Sequence, residues 1–249
     1  MKGLWPLMFG VFGCQAPQIQ IAAPDTLKPA IEDFVGFMED DRFVVTEGTE
    51  ACAGASIVLV DDLDCTDCYE ITGGDGCFEV HGDRLGVQYG LAALLESTGI
   101  RFYHPDRTYI PETVVLPDTV PGERQEPQMR RRGLHLHTLH PIEGYFAMWE
   151  PRMGTEPGRR IADWVIKNRG NHVQWVALDG QPTGWDAHTA ALIDAMHQRG
   201  LTVGLGVQLY GFSNLQKAFD LVDKTNEDKR AQMERQWAKV TGLDFDLFN

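Results

Sequence analysis

The spacing of apolar residues changes character several times along the chain. An uncharged apolar run, MKGLWPLMFGVFG, is interrupted only by Lys2 and stops at Cys14, and residues 15 to 29, with Pro17, Pro24 and Pro29, read as a linker. A helix is expected from Pro29 to about Asp40, because Ile31, Phe34, Val35 and Met38 fall at helical spacing and proline suits a first turn. Ser56 to Val60 is a continuous apolar strand, and Tyr69 to Thr72 and Cys77 to His81 flank Gly73-Gly74-Asp75-Gly76, a hairpin signal. Asp83 to Gly99 sets Leu85, Tyr89, Ala92 and Leu95 on one helical face and ends in a glycine suited to a C-cap. Ile100 to Pro105 then forms a short strand.

Residues 116 to 130, with Pro117, Pro121 and Pro127, show no periodicity and read as a second linker. Beyond it, strand-like and helical segments alternate. Gly133 to His140, His172 to Leu178 and Leu201 to Gln208 are strand-like, Gly158 to Arg169 and Asp186 to Arg199 are helical, Leu215 to Val240 supplies further helix, and Leu243 to Phe248 begins a fourth strand. This alternation predicts successive βα units around a parallel sheet.

The order of strand, glycine turn, strand, GDRLGVQYGLAALLE, GIRFYHPD and YIP resembles the small N-terminal α+β domain that precedes the catalytic barrel in beta-hexosaminidases, alpha-glucuronidases and their relatives. The similarity covers residues 30 to 115 and is densest from Gly82 to Glu112; a generic α/β sandwich is the alternative. RGLHLHT from Arg132 resembles the first barrel strand of these glycosidases, ADWVIKNRGNHVQW from Ala162 resembles their first helix and second strand, and HPIEGYFAMW from His140 is similar to the alpha-glucuronidase loop after the first strand. The resemblance implies an α/β protein with a small N-terminal α+β domain over 30–115 and a partial (β/α)8 TIM-type barrel over 131–249. A full barrel takes roughly 250 residues, so the second region is expected to hold about four strands and to stop before the catalytic acid of these families.

Composition narrows the classes. Apolar residues make up 43% and charged residues 23%, as in ordinary globular proteins, and the net charge of −14 disfavours a phosphate-tracking nucleic-acid surface. The basic start and short apolar run describe a secretory signal over residues 1–14, too short for the roughly 20 apolar residues of a spanning helix. Val11 to Cys14 resembles a bacterial lipobox, although Phe12 replaces the usual small residue, and this implies lipidation of Cys14 and an exported protein held at the bacterial cell envelope. An ordinary signal peptide and a buried N-terminal helix are the alternatives. The other four cysteines, Cys52, Cys65, Cys68 and Cys77, are expected to form two disulfides with three pairings open, as befits an exported chain. A zinc knuckle at Cys65 and Cys68 lacks a second C-x-x-C, and a redox role lacks a thioredoxin-like setting.

The chemistry expected of a barrel gathers at the C-terminal ends of its strands. His135 and His137 lie on one face of the first strand, with Leu134 and Leu136 on the other, so the histidines face the interior, with His140 following on the loop. A metal site there lacks an accompanying carboxylate cluster, and a sugar-contacting lumen is favoured over it. Asp179 ends the second strand, and Gln208 and Tyr210 end the third; carboxylates, amides and phenols suit hydroxyl-rich ligands. Trp175 and Trp185 offer stacking platforms, Trp175 being equally suited to a core. The resemblance implies that Arg132 binds sugar hydroxyls, the other reading being a surface arginine within Arg130 to Arg132. No cofactor is expected.

Glycoside hydrolysis normally requires two carboxyl groups, and some of the related enzymes use substrate assistance. Asp244 and Asp246 lack the Asp-Glu or Glu that the families place at the fourth strand's end and receive no catalytic role. The expectation is therefore the N-terminal portion of an exported or lipid-anchored glycoside hydrolase acting on hexosamine- or uronate-containing saccharides, inactive as this chain. The competing expectations are a non-catalytic surface lipoprotein that binds polysaccharide, and an envelope protein whose N-terminal domain mediates protein contacts. The partner in the first two is an oligo- or polysaccharide.

Overall fold

The computed structural model describes residues 18–49, 56–138, 142–210, 219–222 and 227–248. Its first departure from the sequence reading lies in the stretch taken as a linker. Ile19–Ala23 (β1) is a strand, and α1 (Lys28–Gly36) returns the chain to β2 (Phe43–Glu47), which pairs with β1 in parallel. The prolines at 17 and 24 bracket this strand and do not dissolve it. β3 (Ile57–Asp61) flanks β1 on its other side, followed by the antiparallel hairpin of β4 (Tyr69–Gly74) and β5 (Cys77–Gly82), giving the order β2-β1-β3-β5-β4. The hairpin turns at Asp75 and Gly76, both at positive φ, a conformation that Asp tolerates and Gly adopts freely.

Helix α2 (Arg84–Ser97) starts where the Asp83 carboxylate accepts the Gly86 N–H at 2.8 Å. Its Gly86 lies so close to the Cys68 carbonyl that a Cβ there would collide with it. Val87, Leu91 and Leu95 join Ile21, Phe34, Ile57 and Phe78 in the first core, whereas Leu85 and Tyr89 belong to a second core. A helix buried against two neighbours is apolar nearly all round, as this one is. The expected strand after it, β6 (Arg101–His104), pairs with β7 (Arg107–Tyr109) as a separate two-stranded ribbon. Cys65 and Cys68 form a disulfide, which displaces the zinc reading of that pair. Cys77 is disulfide-bonded as well, and Cys14 and Cys52 lie outside the described residues.

The second sheet contains β8 (Gly133–Leu136), β9 (His172–Val176), β10 (Thr202–Gly206) and β13 (Leu247–Phe248), all parallel and adjacent in the order in which they occur. Helix α3 (Ile142–Trp149) occupies much of what the sequence treats as a loop, and α4 (Glu156–Lys167) and α5 (Trp185–Gln198) lie where helices are expected. Gly200, at φ +91°, follows α5. Of the further helix expected over 215–240, residues 215–218 and 223–226 lie outside the described residues; β12 (Asp220–Val222) is a strand that pairs with β11 (Gln208–Tyr210), and α6 (Lys229–Thr241) begins after Asp228, whose carboxylate accepts the Ala231 N–H. The second core packs Val173, Trp175, Val203 and Leu205 of the sheet against Ile161, Val165, Leu192 and Met196 of α4 and α5. The protein is thus mixed α/β, with a mixed five-stranded sheet and a parallel four-stranded one.

Polar contacts tie the two sheets together at α2, α4 and the strand entries. Tyr89 donates its hydroxyl to the Gly170 carbonyl at 2.8 Å, Gln88 donates to the Arg199 carbonyl at 2.8 Å, and Trp164 donates to the Phe102 carbonyl at 3.0 Å. Lys167 and Arg199 both pair with Asp163, all three being buried, and the Lys167 ammonium also donates to the Phe34 carbonyl and sits 4.3 Å from the Phe34 ring centroid. Burial pushes the Lys167 ammonium below its ordinary value while Asp163 opposes that shift.

Candidate functional site

Strand alternation sends one set of side chains of the parallel sheet into the core and leaves the other on a polar face. Leu134 and Leu136 pack against the core, and His135 is exposed on the opposite face, as the period-two pattern predicts. The rings of His135 and His137 stack with centroids 6.1 Å apart. On the neighbouring strand Gly133 is level with His172 and His135 with Gln174. A Cβ at Gly133 would collide with the His172 carbonyl, so glycine is what lets the two backbones approach here.

His172 and Gln174 extend this polar face, and both are buried. His172 Nδ1 lies 2.8 Å from Thr202 Oγ1, and its Nε2 lies 3.4 Å from Gln174 Oε1. Gly204 is level with Gln174, and a Cβ there would crowd both the Gln174 and His172 side chains. Partial desolvation of its ring lowers the pKa of His135, helped by the neighbouring His137 and His172. Burial likewise lowers that of His172, with Arg131 adding to the effect and Gln174, Thr202 and Asp246 opposing it. The face is therefore set to carry neutral imidazoles near neutral pH, each able to donate from one nitrogen and accept at the other.

At the C-terminal end of the sheet, His137 follows β8 with its Nδ1 3.3 Å from Thr138 Oγ1, and exposed Asp179 follows β9. Tyr145 of α3 donates its hydroxyl to the Val176 carbonyl at 3.0 Å, placing that helix against the end of β9. The Gln208 N–H donates to the Phe219 carbonyl, and the Phe219 N–H donates to the Ala177 carbonyl, which seats the β11–β12 ribbon at the same end. The structure thus brings His137, Asp179, Gln208 and the Tyr210 backbone to one end of the sheet, with His135 on the face beneath. His140 lies outside the described residues.

Arg132 is placed elsewhere. It stands at the N-terminal entry of β8, where its guanidinium donates to the carbonyls of Arg169 at 2.7 Å and Met129 at 2.6 Å and pairs with the Asp67 carboxylate at 2.8 Å. These partners belong to the junction between the sheets. Asp246 also lies at this end, accepting the Val203 N–H at 2.6 Å and pairing with His197 at 2.9 Å, while Asp244 is exposed. Trp175 is fully buried in the core, and Trp185 is buried against Trp149 with ring centroids 5.2 Å apart, so neither is a platform for a ligand. His172, Gln174 and Thr202 were missed by the sequence reading. Their signal was present: polar residues alternate with Val173 and Trp175 in β9.

Among the described residues no three His, Cys, Asp or Glu side chains are grouped so as to hold a metal ion, and no helix is long and apolar enough to cross a membrane. No family model matches the chain, and no curated protein matches it in sequence. Solved structures do. A chitobiase from Flavobacterium johnsoniae is similar over 93% of this chain and 40% of its own, with TM-score 0.56 and 13% identity. A family GH115 4-O-methyl-alpha-glucuronidase with specificity for decorated arabinogalactans is similar over 77% of this chain and 29% of its own, with TM-score 0.52 and 15% identity. A beta-N-acetylhexosaminidase from Bacteroides fragilis is similar over 79% and 42%, with TM-score 0.51 and 13% identity. The fold is glycoside hydrolase-like. At these identities the likeness is one of fold, and the chain spans less than half of each of these enzymes.

Proposed function

We propose that this chain is the saccharide-binding N-terminal portion of an exported glycoside hydrolase acting on O-glycosyl bonds of hexosamine- or uronate-containing saccharides, its parallel sheet being the first part of a (β/α)8 barrel. The observation that carries this reading is the polar face of a parallel sheet whose C-terminal end collects His137, Asp179 and Gln208, on a fold shared with hexosaminidases and an alpha-glucuronidase. Consecutive strand order, β8-β9-β10-β13, is the order a barrel requires. An imidazole and an amide donate to and accept from sugar hydroxyls, and a carboxylate accepts from them.

Binding and cleavage are separable here. Hydrolysis in most glycosidases uses one carboxyl group to protonate the leaving oxygen and a second as nucleophile or base, a substrate group standing in for the nucleophile in substrate-assisted enzymes. Among the described residues Asp179 supplies one carboxylate at the strand ends, which favours binding over turnover by these residues. The second reading, a non-catalytic surface lipoprotein that binds polysaccharide, shares the same site and is favoured by that same scarcity. Lipidation at Cys14 belongs to both readings and rests on the sequence alone.

Two measurements on purified chain test this. Calorimetric titration with N-acetylglucosamine oligomers and with glucuronate-bearing oligosaccharides is expected to show binding that weakens when His137, Asp179 or Gln208 is replaced. Chromogenic glycosides are expected to remain uncleaved by this chain and to be cleaved by a form carrying further barrel strands. Absence of binding to both saccharide classes would sink the saccharide assignment, and turnover by the chain alone would move the catalytic role to Asp179 and the histidines.

A further inference from the structure

The Cys65–Cys68 disulfide closes a loop holding only Thr66 and Asp67. Asp67 has φ +59°, a left-handed conformation that Asp adopts more readily than most residues and that the short bridged loop holds here. Its backbone N–H donates to Asp83 Oδ2 at 2.8 Å, tying the loop to the cap of α2. Its carboxylate, nearly buried, accepts from Arg132 Nη2 at 2.8 Å and from Asn171 Nδ2 at 2.6 Å. Arg132 and Asn171 immediately precede β8 and β9 and bind each other: the Arg132 N–H donates to Asn171 Oδ1 at 2.9 Å, and the Asn171 N–H donates to the Arg132 carbonyl at 2.7 Å. One carboxylate, held out by a two-residue bridged loop of the first sheet's domain, therefore fastens the entries of two adjacent strands of the second.

We propose that the Cys65–Cys68 disulfide is a thiol-exchangeable latch: closed, it presents Asp67 to Arg132 and Asn171 and docks the two sheets; opened, it lets Asp67 relax and releases the strand entries. The geometry favours exchange at one sulfur. Cys65 is partly exposed, whereas Cys68 is fully buried, its carbonyl wedged against Gly82 and Gly86. A thiolate of an external dithiol attacks Cys65 Sγ and forms a mixed disulfide, while the Cys65–Cys68 bond breaks and Cys68 leaves as a thiolate that takes a proton from water. The second thiol of the dithiol, deprotonated, then displaces Cys65, which is protonated in turn. Both cysteines end reduced, and the dithiol carries away the oxidising equivalents as its own disulfide.

Hydrogen exchange at the Arg132 and Asn171 amides of the full chain reads the latch, with dithiothreitol as the dithiol and thiol alkylation reporting the state of the bridge. Reduction of the wild type is expected to speed exchange at both amides about tenfold, the equivalent of losing one charge-assisted hydrogen bond. Cys65→Ser with Cys68→Ser should show the same rates without reductant. Asp67→Asn should already be fast, and dithiothreitol should add little to it; this comparison also subtracts any effect of opening the disulfide at Cys77. The latch is refuted if the wild-type amides stay protected once alkylation shows the Cys65–Cys68 bridge open. It is equally refuted if Asp67→Asn responds to dithiothreitol as fully as the wild type does. Should the double cysteine variant fail to fold, the wild-type and Asp67→Asn pair still decides the matter.

Discussion

The two ends of the parallel sheet use the same kinds of residue to opposite effect. At its N-terminal end Arg132, Asp67 and Asn171 form a closed ring of hydrogen bonds, and Lys167, Asp163 and Arg199 are buried together in the same junction. On its open face and at its C-terminal end His135 and Asp179 are exposed, and His135 and His137 face each other rather than a counter-charge. Charged side chains that appear equally chemical in a sequence are thus divided by position: those at strand entries hold the architecture, and those at strand exits remain available to a ligand. A parallel sheet imposes that division, because all its entries lie at one end and all its exits at the other.

The sharpest way to break the contrast is Asp163→Ala. It leaves Lys167 and Arg199 buried without their shared counter-ion and should cost about 3 to 5 kcal/mol in urea unfolding. Tyr89→Phe removes the hydroxyl that donates to the Gly170 carbonyl and should cost about 1 kcal/mol by the same measurement. The histidines should separate the regions by pH. His81 is opposed by burial but raised overall by Asp62 and Glu79, so its contribution is fully present below its unfolded pKa and is lost as pH rises through the higher folded value. His135 and His172 are lowered, so their contribution is present above the unfolded pKa of about 6.5 and is lost as pH falls from there through their folded values. Thermal melts of His81→Gln and of the pair His135→Gln with His172→Gln, from pH 5 to 8, should therefore flatten opposite sides of the wild-type profile. The smallest effect belongs to Asp179→Asn, which should leave stability within about 0.5 kcal/mol while weakening saccharide binding. A large loss of stability there would erase the distinction between the two ends.

Much of this was legible because it is local. The hairpin around Asp75 and Gly76, the Asp83-capped helix and the alternation of leucine and histidine in β8 each follow from a few neighbouring residues. β1 was hidden because its five residues sit between prolines and gain their stability from β2 and β3, which the sequence does not announce as its neighbours. β12, within the 215–240 stretch, was hidden for the same reason: a three-residue strand has too short a period to show, and its partner β11 lies earlier in the chain. Arg132 illustrates the limit for sites. The resemblance supplies its address at the start of a barrel strand, but its partner is Asp67, far away in sequence, and only the fold places them 2.8 Å apart.

The sheet order carries one more consequence, for the way such a chain leaves the ribosome. In the parallel sheet β9 lies beside β8 and β10 beside β9, so these pair in the order in which they emerge, whereas β13 joins β10 only after the β11–β12 ribbon and α6 have been made. Each pairing closes over a crossover that contains a helix, as parallel strands require. The five-stranded sheet differs: β1, the first of its strands along the chain, ends between β2 and β3, and β4 reaches its place beyond β5 only when the hairpin closes. Synthesis thus delivers the five-stranded sheet as a unit assembled around β1, and then the parallel sheet as a series that grows outward from β8.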